Sequence, residues 1–110
     1  MAPKILVIQT AFLGDLLLSI PLLKNTRRLF PNSKIVLLCR KGFGEFFEKL
    51  ELVDSAVEVD KSNADSARNA QKIIKSHDYE LVLCPHQSLR SAIWAKSVKS
   101  KMTIGFKTWW

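Results

Sequence analysis

The stretch KILVIQTAFLGDLLLSIPLLKNTRRLFPNSKIVLLC, residues 4–39, contains two apolar runs with an amphipathic segment between them. The runs, residues 4–8 and 34–39, are continuous and rich in leucine and β-branched residues, a pattern typical of strands covered on both faces. The segment of about 15–30 has helical spacing, and Pro21 predicts that this helix starts late or bends there. The predicted buried arc of the helix consists of Leu16, Leu18, Leu22, Leu23, Leu29 and Phe30. Strand, helix and strand in this order predict a βαβ unit with parallel strands.

The alternation of strand-like and helix-like segments continues along the rest of the chain. Further strand candidates are residues 56–59, 80–84 and 101–104, and further helix candidates are about 43–50, 63–76 and 88–98. We expect a capping box at the helix of 63–76, because Asp65 follows Ser62 by three residues. Repeated units of this kind predict an α/β protein with a Rossmann-like parallel sheet and helices on both faces.

The composition is that of one globular domain. The 110 residues are 47% hydrophobic and 25% charged, which excludes a disordered chain. An excess of 17 basic over 10 acidic residues, a net charge of +7, suggests an anionic partner, although a solvated basic face is the simpler explanation. No nucleic-acid-binding motif accompanies the charge, so we predict no nucleic-acid partner.

The two cysteines and the lengths of the apolar runs indicate the cellular compartment in which the protein is found. Cys39 and Cys84 each end an apolar run, as free buried thiols in a reducing compartment do. The N-terminal apolar run is too short for a signal peptide, and no stretch of about 20 apolar residues could span a membrane. The sequence therefore predicts a cytoplasmic protein.

Asp15 is the first candidate site residue, and it follows Gly14 in the loop between the first strand and the first helix. A carboxylate at a helix N-terminus commonly caps it, so the residue needs no function to explain it. The same loop lies at the carboxyl end of a parallel strand, where ligands bind, and glycine lets a substrate approach the backbone. Both interpretations stay open from the residues alone.

Two further loops end predicted strands with polar side chains. Arg40 and Lys41 follow the second strand and suit an anion, although two basic loop residues are as often merely solvated. His86, Ser88 and Arg90 follow the fourth strand and suit a phosphate or a sugar hydroxyl, unless Ser88 only caps a helix.

The sequence predicts no metal and no cofactor. Cys84 and His86 do not have a familiar zinc spacing, and neither a Gly-x-Gly-x-x-Gly turn nor a P-loop follows a strand. A nucleotide bound within this chain is therefore not expected.

Trp94, Trp109 and Trp110 accompany a run of basic residues in the segment 86–110. Aromatic and basic residues together favour an interface, either with another chain or with a membrane surface. The chain also stops directly after a strand, in GFKTWW, so we expect it to be cut in mid-domain.

Residues 5–43 resemble the opening of glycosyltransferase family 9, the ADP-heptose:lipopolysaccharide heptosyltransferases. The likeness consists of an apolar strand, a loop ending Leu-Gly-Asp, a leucine-rich helix with an early proline, and a Pro-Asn turn into a second strand. SLRSAIWAKSVKSKMTIGF, residues 88–106, also resembles a later segment of that family. The resemblance covers nearly all of this chain but only about the first third of a family member.

The resemblance implies one half of a GT-B enzyme that performs inverting, metal-independent sugar transfer. Residues 1–110 would be the N-terminal, Rossmann-like domain that binds a lipopolysaccharide inner-core acceptor. The family's proposed general base falls on Asp15, and Arg40, Lys41 and Arg90 would suit the acceptor's phosphates and carboxylates. The C-terminal domain that binds the ADP-sugar donor is absent, so we expect this chain to be inactive alone. A lipid-linked acceptor also implies peripheral contact with the inner membrane.

Two other functions stay open from the residues. One is a free-standing α/β module that binds a small anionic ligand in its basic crevice. The other is an interaction fragment whose tryptophans dock on another chain.

Overall fold

The computed structural model describes residues 3–9, 19–60, 62–84 and 100–105. Among these residues it contains five strands: β1 (Lys4–Gln9), β2 (Lys34–Arg40), β3 (Ser55–Val59), β4 (Tyr79–Cys84) and β5 (Ser100–Gly105). It contains three helices in the same part of the chain: α1 (Ile20–Leu29), α2 (Gly44–Lys49) and α3 (Ala64–Lys75). All five predicted strands are confirmed, as are the helices predicted near 43–50 and 63–76. The helix predicted at 88–98 lies outside the described residues.

The strands form one sheet in the order β3-β2-β1-β4-β5, and every neighbouring pair is parallel. The prediction of a Rossmann-like parallel sheet is therefore confirmed. β1 lies in the middle, so the order along the sheet reverses between β1 and β4. In open α/β sheets this reversal opens a crevice at the carboxyl ends of the two strands.

Both faces of the sheet are buried, which explains the continuous apolar runs. One face packs against α3 through Leu6, Leu38 and Ile74. The other packs against α1 and α2 through Leu23 and Phe47. Alternate residues of β1 and of β2 enter opposite clusters, so β1 is buried on both faces from Ile5 onward.

Helix α1 is described from Ile20, with Pro21 in its first turn; the residues that would distinguish a late start from a bend lie outside the described ones. Leu23 is fully buried, but Leu29 is 66% exposed and Phe30 is 43% exposed. The prediction that these two residues belong to the buried arc was wrong. In the last turn of α1 the buried residue is Thr26, so among the described residues the core-facing side of this turn does not include Leu29 or the following Phe30.

Helix α3 has Asn63 as its N-cap, not Ser62 as the sequence suggested. The Asn63 side-chain oxygen accepts hydrogen bonds from the backbone N–H groups of Asp65 (2.9 Å) and Ser66 (3.3 Å). Ser62 lies one residue too early, and its hydroxyl instead donates to Asp60. Asparagine and serine cap helices about equally well, so the pattern alone could not choose between neighbours.

Candidate functional site

The candidate site lies at the carboxyl edge of the sheet, where β1, β2 and β4 end. Val7 of β1 is in register with Leu83 of β4, so these two strands finish side by side. Gly14 and Asp15 follow β1, and His86, Ser88 and Arg90 follow β4; all five lie outside the described residues. Because β1 and β4 are neighbours in the sheet, the ends of these strands, where the two segments begin, lie next to each other.

Ser19 and Gln9 mark the two ends of the segment that carries Asp15. Gln9 is the last residue of β1 and Ser19 directly precedes α1, and each is only 4% exposed. The Gln9 Nε2 donates a 3.0 Å hydrogen bond to the Ser19 Oγ, which ties the ends of residues 10–18 together. Ser19 occupies the N-cap position of α1, and the capping role considered for Asp15 lies outside the described residues.

Sequence reasoning missed the bond between Gln9 and Ser19. The available signal was a primary amide at the end of an apolar strand, a position where a buried polar group needs a partner. A buried side-chain bond of this kind restricts the conformations of the loop that it closes. The bond therefore holds the two residues that flank the segment 10–18 next to each other at the end of β1.

The loop after β2, which contains Lys41, is built around the carboxylate of Glu58 from β3. The Glu58 Oε2 accepts hydrogen bonds from the backbone N–H groups of Gly42 (3.1 Å) and Gly44 (2.8 Å). Gly42 has φ +98°, which other residues rarely adopt. A Cβ on Gly44 would lie 2.9 Å from the same Glu58 oxygen, so this position also requires glycine.

Charges of both signs meet at this loop. Arg40 is the last residue of β2 and Lys41 follows it, while Glu58 lies on the neighbouring strand β3 and Asp60 follows that strand. The pKa of Asp60 is lowered, chiefly by hydrogen bonds from Ser62 and to a lesser degree by Lys41 and Arg40. An anion at this loop would face two carboxylates as well as two cations, so the loop alone provides little net positive potential.

Cys39 and Cys84 are both buried thiols and neither is part of a disulfide, as the sequence predicted. Burial raises the pKa of Cys39 to about 12, and the negative charges of Glu58 and Glu48 contribute in the same direction. Cys39 therefore stays a thiol at neutral pH and does not act as a nucleophile. No three histidine, cysteine, aspartate or glutamate side chains within the described ranges are grouped to hold a metal ion.

We expect Glu58→Ala to lower the free energy of unfolding by about 1–2 kcal/mol, because two loop N–H groups lose a charged acceptor. Glu58→Gln keeps an oxygen at the same place and should recover part of this loss. Urea denaturation measures the difference. Glu45→Ala is the matched control, since it removes an exposed carboxylate from the adjacent helix and should cost less than about 0.5 kcal/mol. Equal losses at the two positions would contradict the role assigned to Glu58.

The chain is similar to known proteins in its structure only. Neither a family model nor a curated protein matches the chain. A family 9 glycosyl transferase from Veillonella parvula matches with a TM-score of 0.82 at 21% identity, covering 94% of this chain and 32% of that one.

The fold is that of a family 9 glycosyltransferase.

Two Escherichia coli structures agree with this result. Heptosyltransferase WaaC with ADP-2-deoxy-2-fluoro heptose matches with a TM-score of 0.80 at 17% identity, covering 94% of this chain and 36% of that one. ADP-heptose lps heptosyltransferase II matches with a TM-score of 0.75 at 19% identity, covering 93% of this chain and 30% of that one. The chain thus spans about a third of the length of the glycosyltransferases whose fold it shares.

The remaining predictions for the site concern the tryptophans and the membrane. Trp94, Trp109 and Trp110 lie outside the described residues, so their proposed interface stays a prediction. In the part of the chain that the structure describes, no helix combines the length and the apolar character needed to cross a bilayer.

Proposed function

We propose that the chain is the N-terminal, acceptor-binding part of an inverting GT-B glycosyltransferase that moves heptose from ADP-heptose to a lipopolysaccharide inner-core acceptor. The observation that carries this proposal is the position of Gln9 and Ser19, the described residues that flank the Leu-Gly-Asp segment in the sequence. Residues 10–18 connect β1 to α1 at the strand-order reversal, in a fold shared with heptosyltransferases, and the bond between Gln9 and Ser19 closes this segment.

In the proposed reaction Asp15 is the general base. Its carboxylate accepts the proton of an acceptor hydroxyl while the hydroxyl oxygen attacks the anomeric carbon of the donor sugar. ADP leaves from the opposite face of the sugar ring, so the configuration at that carbon inverts. Carboxylates in inverting glycosidases activate the attacking oxygen in the same way. Gly14, directly before the base, would let the acceptor approach the backbone closely.

Recognition of the acceptor falls to the three segments at the carboxyl edge. Arg40, Lys41 and Arg90 would contact phosphates or carboxylates of the lipopolysaccharide core, and His86 and Ser88 would contact its hydroxyl groups. Because the carboxylates of Glu58 and Asp60 offset the positive charge near Lys41, Arg90 would be the main contact for the anionic groups of the acceptor. A net charge of +7 would also favour peripheral contact with an anionic membrane surface.

The donor would bind a second, C-terminal domain that faces this one across a cleft. If the acceptor and the donor bind to different domains, the 110-residue chain should differ in its affinity for the two compounds. It should bind a truncated lipopolysaccharide acceptor with saturation and should bind ADP-heptose only weakly, which calorimetric titration of both compounds measures. Saturable binding of ADP-heptose with no binding of the acceptor would contradict the assignment of this chain to the acceptor.

A further inference from the structure

Two adjacent apolar side chains at the end of α1, those of Leu29 and Phe30, are exposed to solvent. In the part of the chain that the structure describes, the other large apolar side chains with comparable exposure are Phe46, Leu50 and Ile73. A single apolar side chain at the surface is common, but neighbouring ones mark sites that contact another protein or a lipid. The charges around these side chains decide which partner fits.

The exposed side of α1 is cationic. Lys24 and Arg28 are both exposed, and their spacing of four residues places them on the same side of the helix. Within residues 3–9, 19–60, 62–84 and 100–105 neither of them has an ion-pair partner. Arg28 directly precedes Leu29, so the cationic side of the helix adjoins its apolar end.

Acidic residues are absent from this region of the sequence. Residues 16–44 include no aspartate or glutamate and six cations, namely Lys24, Arg27, Arg28, Lys34, Arg40 and Lys41. Asp54 reaches the end of α1 from the start of β3, but its Oδ2 already accepts hydrogen bonds from the Arg27 guanidinium and the Ile35 backbone N–H, each at 2.7 Å. The exposed side of α1 therefore attracts an anionic partner.

The other exposed apolar side chains lack this combination. Phe46 follows the exposed Glu45 on α2, and Leu50 precedes the exposed Glu51. Ile73 is on α3, which packs against the other face of the sheet, and neither of its neighbours in the chain is apolar. Among the described helices, α1 is the one that joins adjacent exposed apolar side chains to cations without acids.

Helix α1 extends from one edge of the sheet to the other. Its N-cap, Ser19, is bonded to Gln9 at the end of β1, so the helix starts at the carboxyl edge. The Phe30 carbonyl at its other end accepts from the backbone N–H of Ser33, directly before β2, so the helix ends at the amino edge. A flat partner that covered the exposed side of α1 would therefore also reach the edge where we place the lipid-linked acceptor.

We propose that the exposed side of α1 rests on an anionic lipid bilayer, with Lys24 and Arg28 against the lipid phosphates and Leu29 and Phe30 inserted among the acyl chains. Cations at the headgroups and apolar side chains below them are the two contributions that bind proteins to such surfaces. Lysine and arginine are long enough to reach the headgroups while their neighbours lie deeper. The proposal deepens the membrane contact of the proposed function and rests on it for the lipid-linked acceptor, but binding to lipid does not require sugar transfer.

The test is cosedimentation of the protein, as its own cells make it, with vesicles of phosphatidylglycerol and phosphatidylcholine. We expect the wild type to bind, and Leu29→Ser to lower the partition coefficient by about tenfold, because the inserted leucine is lost. Ile73→Ser is the matched control, since it makes a similar change at a side chain that is 51% exposed on the other face of the sheet. Absence of wild-type binding, or an equal loss in both variants, would overturn the proposal.

Arg28→Ala and Lys75→Ala test the contribution of charge. Both variants lose one exposed cation, so they have the same net charge, but Lys75 lies on α3. Arg28→Ala should weaken binding by about fivefold at low salt and by less at high salt, and Lys75→Ala should have little effect. Equal losses would mean that net charge alone binds the protein, and equal binding of the wild type to phosphatidylcholine alone would exclude a role for the cations.

Sugar transfer to an acceptor without its lipid separates this proposal from the proposed function. Leu29→Ser should transfer to this soluble acceptor at the wild-type rate, because the residue lies at the other end of α1 from the carboxyl edge. A wild type that binds vesicles but transfers no sugar would contradict the proposed function and leave the membrane contact intact. A Leu29→Ser variant that loses transfer to the soluble acceptor would contradict the role of Leu29 as a lipid contact.

Discussion

Asp15→Asn should lower the rate of sugar transfer by about 10²–10⁴-fold, the usual contribution of a positioned general base. Asparagine has the shape of aspartate but cannot accept a proton, so binding of the acceptor should survive the change. The loss should therefore appear in kcat, with KM for the acceptor nearly unchanged. The measurement is ADP release from ADP-heptose in the presence of truncated lipopolysaccharide, with the protein as its own cells make it.

Asp78→Asn is the control for this experiment. Asp78 is exposed in the turn before β4, at the edge of the sheet away from the proposed base, and its replacement should leave the rate unchanged. Circular dichroism of both variants checks that each is folded. If Asp15→Asn turns over at nearly the wild-type rate, the assignment of the base is wrong.

Leu6→Ala should lower the free energy of unfolding by about 2–5 kcal/mol, the range found when a fully buried leucine is truncated. Leu6 is 0% exposed and lies in the middle of β1, where it packs with Leu38 of β2 and Val82 of β4. A loss of this size is a large part of the total stability of a domain, about 5–15 kcal/mol. Urea denaturation of both proteins provides the comparison.

Leu29→Ala makes the same chemical change at the exposed end of α1 and is the matched control. Leu29 is 66% exposed, so its truncation should change the free energy of unfolding by no more than about 0.5 kcal/mol. Similar losses for the two variants would mean that β1 is not the centre of the core.

The elements of the fold were predictable because each has a local cause. The runs at 5–8 and 35–39 are apolar at every position, as is typical of strands buried on both faces. Pro21 fixed where α1 could begin. The exposure of Leu29 and Phe30 was not predictable. Helical spacing shows which face of a helix is apolar, but not how much of that face is covered by other elements.

The candidate site was predictable in its position but not in its electrostatics. The rule that ligands bind at the carboxyl ends of parallel strands predicted a binding site that includes Arg40 and Lys41. Their opposing acids, Glu58 and Asp60, lie far along the sequence and reach the loop only because β3 pairs with β2.

The central position of β1 has a consequence for how the chain folds during synthesis. β1 is made first, and β2 and β3 can pair on one side of it as soon as they leave the ribosome. Its other side stays open until β4, residues Tyr79–Cys84, has emerged. For that interval the nascent chain presents an apolar strand with unpaired backbone groups, the kind of edge that recruits other chains into aggregates. This protein is therefore expected to need chaperone protection until β4 has been translated.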